Sequence, residues 1–293
     1  CKNNLKQIGL ALHNYHDTFG SFPVNFSLAD APASQYPGSP WAVPNPHSRS
    51  WIQLILPYID QAPLYNQIDF NYGLLDDPRE MTASNNPADP SNLAVALKVL
   101  TVFRCPSDAG DDRLGGRANT DASLLLGVNS YKACAGSNWC WGTFTNTTGT
   151  RWGTTCDGLN AGNGMMCRSH GVCRTNSIAH IKDGTSNTFA VGETIPRWSD
   201  HTWWWHFNGS TATTAVPLNQ PALCAAGAGL GKAQALEACY TDWPNNYSFM
   251  SEHVGGGHFT MADGSVKFVS ENIDLNLYRG LASIIGRETA TLP

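Results

Sequence analysis

The chain has 293 residues and a formal net charge of −5, from 18 Lys+Arg and 23 Asp+Glu. Charged residues make up 14% of it against roughly 25% in an average soluble domain, so Asn, Ser, Thr and Gly must carry its solvation. No basic excess is available for a phosphate backbone, the 42% hydrophobic share excludes a disordered acidic segment, and no apolar run approaches the ~18 residues of a spanning helix.

Residues 1 to 19 set Leu5, Ile8, Leu12, Tyr15 and Phe19 at steps of three and four, one apolar stripe along a helix that Gly20 stops. No capping residue precedes its first turn, so the helix reads as one that continued upstream. With no signal peptide opening the chain, the sequence as given reads as soluble. Five prolines between Asp30 and His47 mark an extended surface loop. Trp51, Leu54, Ile55, Tyr58 and Ile59, then Leu64, Tyr65 and Ile68, predict two short helices interrupted at Pro57 and Pro63. A further helix is predicted from Ser91 through Leu93, Ala96, Leu97 and Leu100 to Phe103, ended by Cys105-Pro106-Ser107-Asp108. Asn187 to Thr194 reads as a strand and Trp203 to Phe207 as an aromatic one, with alternation burying Trp203 and Trp205 and exposing Trp204. Phe259 to Ala262 and Ser265 to Val269 flank Asp263-Gly264, a two-residue hairpin signal because both positions tolerate positive φ. A last helix runs roughly from Leu275 to Ile285.

The expected architecture is one α+β domain over 1–293. Its helix is 1–19 and its core is 48–132, 177–208 and 246–293. Two cysteine-rich insertions, 133–176 and 209–245, show neither helical nor strand periodicity. The nine cysteines are Cys1, Cys105, Cys134, Cys140, Cys156, Cys167, Cys173, Cys224 and Cys239. Their spacings match neither a paired zinc site nor haem attachment, so they read as disulfide candidates, and disulfides imply an exported protein. Nine is odd, which leaves one thiol over. Four glycosylation sequons, at Asn25, Asn146, Asn208 and Asn246, add little, because so short a pattern is common by chance.

Four groups of residues bear on chemistry. His253-Val254-Gly255-Gly256-Gly257-His258, with Asp263, offers two imidazoles and a carboxylate for a divalent cation or for acid–base work. The favoured reading is structural: glycines for close strand approach, and histidines bonded to backbone groups. Asp183 to Asn187, followed by Glu193, and the acidic loop of Asp108, Asp111 and Asp112 present oxygens that suit calcium. The first is equally a turn whose side chains hold their own backbone, and the second is by default a solvated loop. Trp203-Trp204-Trp205 offers a stacking platform for sugar, set against core packing. No Walker lysine follows the glycine run and no Gly-x-Ser-x-Gly elbow occurs.

Together, CKNNLKQIGLALHNYH (Cys1 to His16), Leu56-Pro57-Tyr58-Ile59, Cys105-Pro106-Ser107-Asp108, Asp183-Gly184-Thr185-Ser186-Asn187-Thr188 and His253-x9-Asp263-Gly264 resemble one bacterial family. It is the family, abundant in planctomycetes, of pilin-like proteins with a prepilin-type cleavage and methylation segment and a C-terminal H-x9-DG motif. The resemblance implies a pilin-like fold: an N-terminal helix packed on an antiparallel sheet, with the disulfide-rich loops as insertions. It also implies export through the inner membrane after prepilin-type processing, an extracellular or cell-surface location, and a structural subunit of a pilus or secretion pseudopilus whose partner is itself. Such proteins normally begin with a hydrophobic half-helix, which this sequence does not contain. Beside these family segments, Cys1 is expected to pair with Cys105, Cys224 with Cys239, and the rest within 134 to 173. Trp139, Trp141, Trp152 and the proline-rich loop are expected to serve lateral contact. The alternative is a glycan- or ligand-binding module. An enzyme using His253, Asp263 and Glu193 ranks last, no cofactor is called for, and a held cation is expected to be structural calcium at Asp183, Asn187, Asp108 or Asp112.

Overall fold

The structure, a computed structural model, describes residues 1–27, 50–70, 90–114, 125–139, 142–146, 159, 162–170, 175–220 and 224–286. Helix α1 spans Lys2–Phe19 and closes at Gly20, whose φ of 73° is the left-handed conformation that returns its N–H to the His16 carbonyl. The stripe divides along its length. Leu5, Ile8 and Leu12 are buried and Tyr15 partly so, whereas Phe19 is exposed and rests on Tyr15, 4.5 Å between ring centroids.

After β1 (Asn25–Ser27) come α2 (Trp51–Ile55), α3 (Ala62–Tyr65) and α4 (Pro90–Ala96). Ser50 caps α2 by accepting the Ile52 N–H, and Pro57 converts the following turn to a 3-10 helix over Leu56–Tyr58. The helix expected to run to Phe103 stops early, and Thr101–Phe103 forms a separate 3-10 turn. The strands that follow are β2 (Arg113–Leu114), β3 (Leu126–Gly127), β4 (Tyr131–Cys134), β5 (Arg168–His170), β6 (Phe189–Glu193) and β7 (Thr211–Ala212). Then come α5 (Lys232–Ala238), α6 (Trp243–Tyr247), β8 (Gly256–Met261), β9 (Val266–Ser270) and α7 (Leu275–Gly280). β1 pairs with β5 and β2 with β3, while the main sheet has five strands in the order β7-β4-β6-β8-β9. Its pairs are antiparallel except that β7 runs parallel to β4. The fold is therefore mixed α+β.

α1, α2 and the Trp203–Trp205 segment cover one face of the sheet, and α7 covers the other. A bulge between Phe189 and Val191 breaks the alternation of β6, so that Ala190 and Val191 both join the α1-side core while Phe189 faces α7.

Three expectations are corrected. The segments read as insertions supply sheet: Ala133 pairs with Thr211 and Cys134 with Ala212, although such short strands leave no periodicity to read. Trp203 to Phe207 is not a strand. Trp203 makes one bridge to Val128, and the chain then doubles back, because Gly209 has no Cβ; one built there would stand 2.3 Å from the Trp203 carbonyl oxygen. All three indoles are buried, including Trp204, whose Nε1–H donates to the Lys98 carbonyl at 2.9 Å. The hairpin loop is not a two-residue turn. Gly264 N–H donates to Met261 O and Met261 N–H to Ser265 O, and within the loop only Gly264 has positive φ, 79°. This is a type I turn closed by a left-handed glycine.

Of the residues expected at the surface, Trp139 is buried, 5.7 Å from the Tyr247 ring, and Trp141, Trp152 and residues 30–47 lie outside the described residues. Asn25 and Asn246 of the sequons are buried as well.

Candidate functional site

Sheet register decides what meets beneath the first turn of α1. Tyr131 pairs with Glu193, Gly192 with Phe259, and His258 with Phe268, which sets Glu193 opposite His258. A single row of side chains on the α1 side therefore crosses β4, β6, β8 and β9. His253 reaches the same place from the loop before β8. The glycines between the histidines permit this. A Cβ on Gly256 would stand 1.9 Å from the Val269 carbonyl oxygen, and one on Gly257 would stand 3.4 Å from Glu193 Oε2.

Glu193 is the centre of the row, its side chain 2% exposed. Oε2 accepts the Ser251 hydroxyl and the His258 backbone N–H, each at 2.8 Å. Oε1 lies 3.2 Å from His253 Nε2 and 3.4 Å from His258 Nδ1, with the two rings edge to face, 4.8 Å between centroids. Burial pushes the Glu193 carboxyl up. The His258 imidazole and backbone N–H, His253 and the Ser251 hydroxyl outweigh it, holding the group below the ordinary carboxylate value and anionic at neutral pH. Tyr131 responds in the opposite sense: burial, then the Glu193 charge, raise its phenol.

The histidines thus meet a buried carboxylate rather than the backbone groups expected of them. Asp263 does not join them. It sits exposed at the hairpin turn and accepts the Ser265 N–H at 2.8 Å. Gly264 instead docks the helix, since a Cβ on Gly9 would stand 3.2 Å from Gly264 Cα, and Thr260 Oγ1 beside it donates to the Leu5 carbonyl at 3.0 Å. The Ser251 hydroxyl donates to Glu193 and accepts the His253 N–H at 3.2 Å, which ties the carboxylate to the loop before β8.

The expected oxygen-rich turns have other partners. Arg104 donates to Asp108 Oδ2 at 3.0 Å and to Asp112 Oδ1 at 2.9 Å, while Asp108 also accepts the Gly110 N–H at 2.9 Å. Asp183 accepts the Gly286 N–H at 2.6 Å, and the Asn187 N–H returns to Gly184 O. Among the described residues, imidazole, carboxylate and sulfur atoms gather in groups of three or more at Cys1, Cys105, Glu193 and His253, and at Cys224, Cys239 and Asp242. Both groups contain a disulfide, Cys1–Cys105 and Cys224–Cys239. Cys134 keeps a free thiol that burial pushes up to about 12; Cys167 is buried, and Cys140, Cys156 and Cys173 lie outside the described residues.

Sequence reasoning named Glu193 and His253 but grouped them with Asp263, and it gave His258 the same bland role as its neighbour. The available signal was period two: His258 and Thr260 fall on one face of β8, and Phe259 and Met261 on the other.

No helix among the described residues is long and apolar enough to cross a membrane. No curated protein and no solved structure matches the chain. A family model matches residues 1–276, which take in α1, the whole main sheet and the Glu193 row, so the chain belongs to the family described as protein of unknown function, DUF1559.

Proposed function

We propose that the chain is an exported structural subunit of a cell-surface or extracellular filament, self-assembling in the manner of a pilin or pseudopilin. The observation that carries this reading is the joint between α1 and the β8–β9 hairpin. The opening segment and the Asp263-Gly264 turn, the most recognisable parts of the sequence, meet there in close packing at Gly9, Thr260 and Gly264. The Cys1–Cys105 disulfide ties the residue just before the helix to the same body. A helix so clamped gives a rigid subunit, which a repeating head-to-tail assembly requires. Leu10 and Phe19 of α1 and Phe268 of the edge strand β9 remain exposed and are apolar groups that a neighbouring copy would cover. The glycan-binding alternative loses its platform, because the indoles of Trp203, Trp204 and Trp205 are buried.

Electron microscopy and light scattering on natively extracted and on recombinant chains test the reading. Ordered fibres, or concentration-dependent oligomers in which these chains touch, are expected. Monomers in both preparations at high concentration, with disulfides intact, would overturn it.

A further inference from the structure

Beneath the first turn of α1, His253 Nε2 and His258 Nδ1 both approach Glu193 Oε1, and none of the three atoms has a hydrogen-bond partner. Native structures rarely leave such atoms unsatisfied, and each instance calls for a reason. The carboxylate oxygen stands 3.2 Å and 3.4 Å from the two nitrogens, close enough for hydrogen bonds, yet neither contact forms one. Those separations have another meaning. Ligands about 2.0–2.1 Å from a tetrahedral metal stand about 3.3–3.4 Å from one another.

The surroundings fix the carboxylate as a ligand site requires. Both donors that reach Glu193, the Ser251 hydroxyl and the His258 N–H, are taken by Oε2, which leaves Oε1 facing the imidazoles. His253 and His258 are 24% and 19% exposed, a route by which an ion can enter. Two imidazole nitrogens and one carboxylate oxygen suit zinc-class ions, whereas calcium and magnesium take oxygen ligands. The Cys1 and Cys105 sulfurs lie within 4.8 Å of the Glu193 and His253 ligand atoms, but as a disulfide they are not thiolates.

We propose that Glu193, His253 and His258 bind one divalent ion of the zinc class, with the fourth position open to water or to a ligand group. The site stands whether or not the chain builds a filament.

Zinc chloride alone, titrated calorimetrically into the chelator-treated full chain with its disulfides intact, tests it. One equivalent is expected to bind, with a rise in melting temperature. His253→Ala and His258→Ala should each weaken binding by at least about tenfold, as should Glu193→Gln, chosen because Glu193→Ala can unfold the sheet. X-ray absorption at the zinc edge should give nitrogen and oxygen neighbours with imidazole scattering. No binding heat overturns the proposal. So does binding unchanged in the folded His253→Ala/His258→Ala double variant, or sulfur in the zinc shell, which would move the ion to Cys1 and Cys105.

Discussion

The two faces of the main sheet are built from neighbouring residues and have opposite characters. Gly192 and Phe259 look toward α7; Glu193 and His258, one step along the same strands, look toward α1. On the α7 side Phe189 and Phe259 stack at 4.3 Å, and Phe249 and Tyr278 close on Phe259 at 5.0 and 6.0 Å. A Cβ on Gly192 would stand 2.4 Å from the Phe259 ring, so this face has no room for another atom. On the α1 side the apolar seat of Leu5 and Ile8 gives way to Tyr131, Glu193 and His258, with polar atoms that are buried and lack a hydrogen bond. Packing alone accounts for the first face. It does not account for the second, because burying charge and unsatisfied donors opposes folding unless something specific holds them.

The contrast can be broken most severely at Phe259. Phe259→Ala empties the centre of the aromatic face and should lower stability by about 3–5 kcal/mol in urea unfolding. A loss below about 1 kcal/mol would mean that the face is not close-packed.

Cutting the tie on the other face should cost slightly less. Cys1 and Cys105 are 104 positions apart, and the chain-entropy contribution of so long a loop is about 4.7 kcal/mol, of which engineered removals commonly deliver 2–4. Cys1→Ser with Cys105→Ser should therefore lower stability by about 2–4 kcal/mol. Amide exchange should quicken first in the opening turns of α1, where the polar row lies, while the aromatic face stays protected.

Lys132 sharpens the comparison, because it is a cation on a strand whose Cys134 belongs to the aromatic side. Its ammonium donates to the Asn246 carbonyl at 2.6 Å, and burial lowers its pKa to about 7. Between pH about 7 and about 10.4 the unfolded chain holds a proton there that the folded chain lacks, so stability rises with pH across that window. Below it the cost of burying the charge is present in full. Lys132→Met should thus stabilise the protein by about 2 kcal/mol at pH 7, with the gain shrinking toward pH 10. A melting temperature that shows the same pH slope in both proteins would refute this.

The smallest effect is expected at the joint. Gly264→Ala imposes a side chain at φ 79° and brings a Cβ to 3.3 Å from His13, for a loss of about 1–2 kcal/mol. Thermal unfolding would register it as a shift of several degrees.

Much of this frame was legible beforehand, because the signals are local. The α1 stripe and Gly20 and the strand ending at Glu193 each obey a rule read within a few residues; Asp263-Gly264 marks the hairpin, though its loop is longer than the two residues read. In two other segments a distant contact overruled the local rule. The Trp203 to Phe207 segment alternates as a strand should, but Gly209 folds it back on itself, and Trp204 finds its acceptor at Lys98. Thr211–Ala212 is too short to announce itself and becomes a strand only because β4 lies alongside.

Composition and pattern by themselves determined a weakly charged α+β chain with a helix that must bury Leu5, Ile8 and Leu12. They also supplied the residues of the candidate site. Which of them meet was decided by tertiary structure alone. Glu193 and His258 are 65 positions apart, and a slip of one residue between β6 and β8 would turn one of them to the opposite face, among the phenylalanines. Side-chain direction alternates along each strand and is therefore written in the sequence; the register between strands is set by the packing of the whole sheet against α1 and α7, and no local segment contains it.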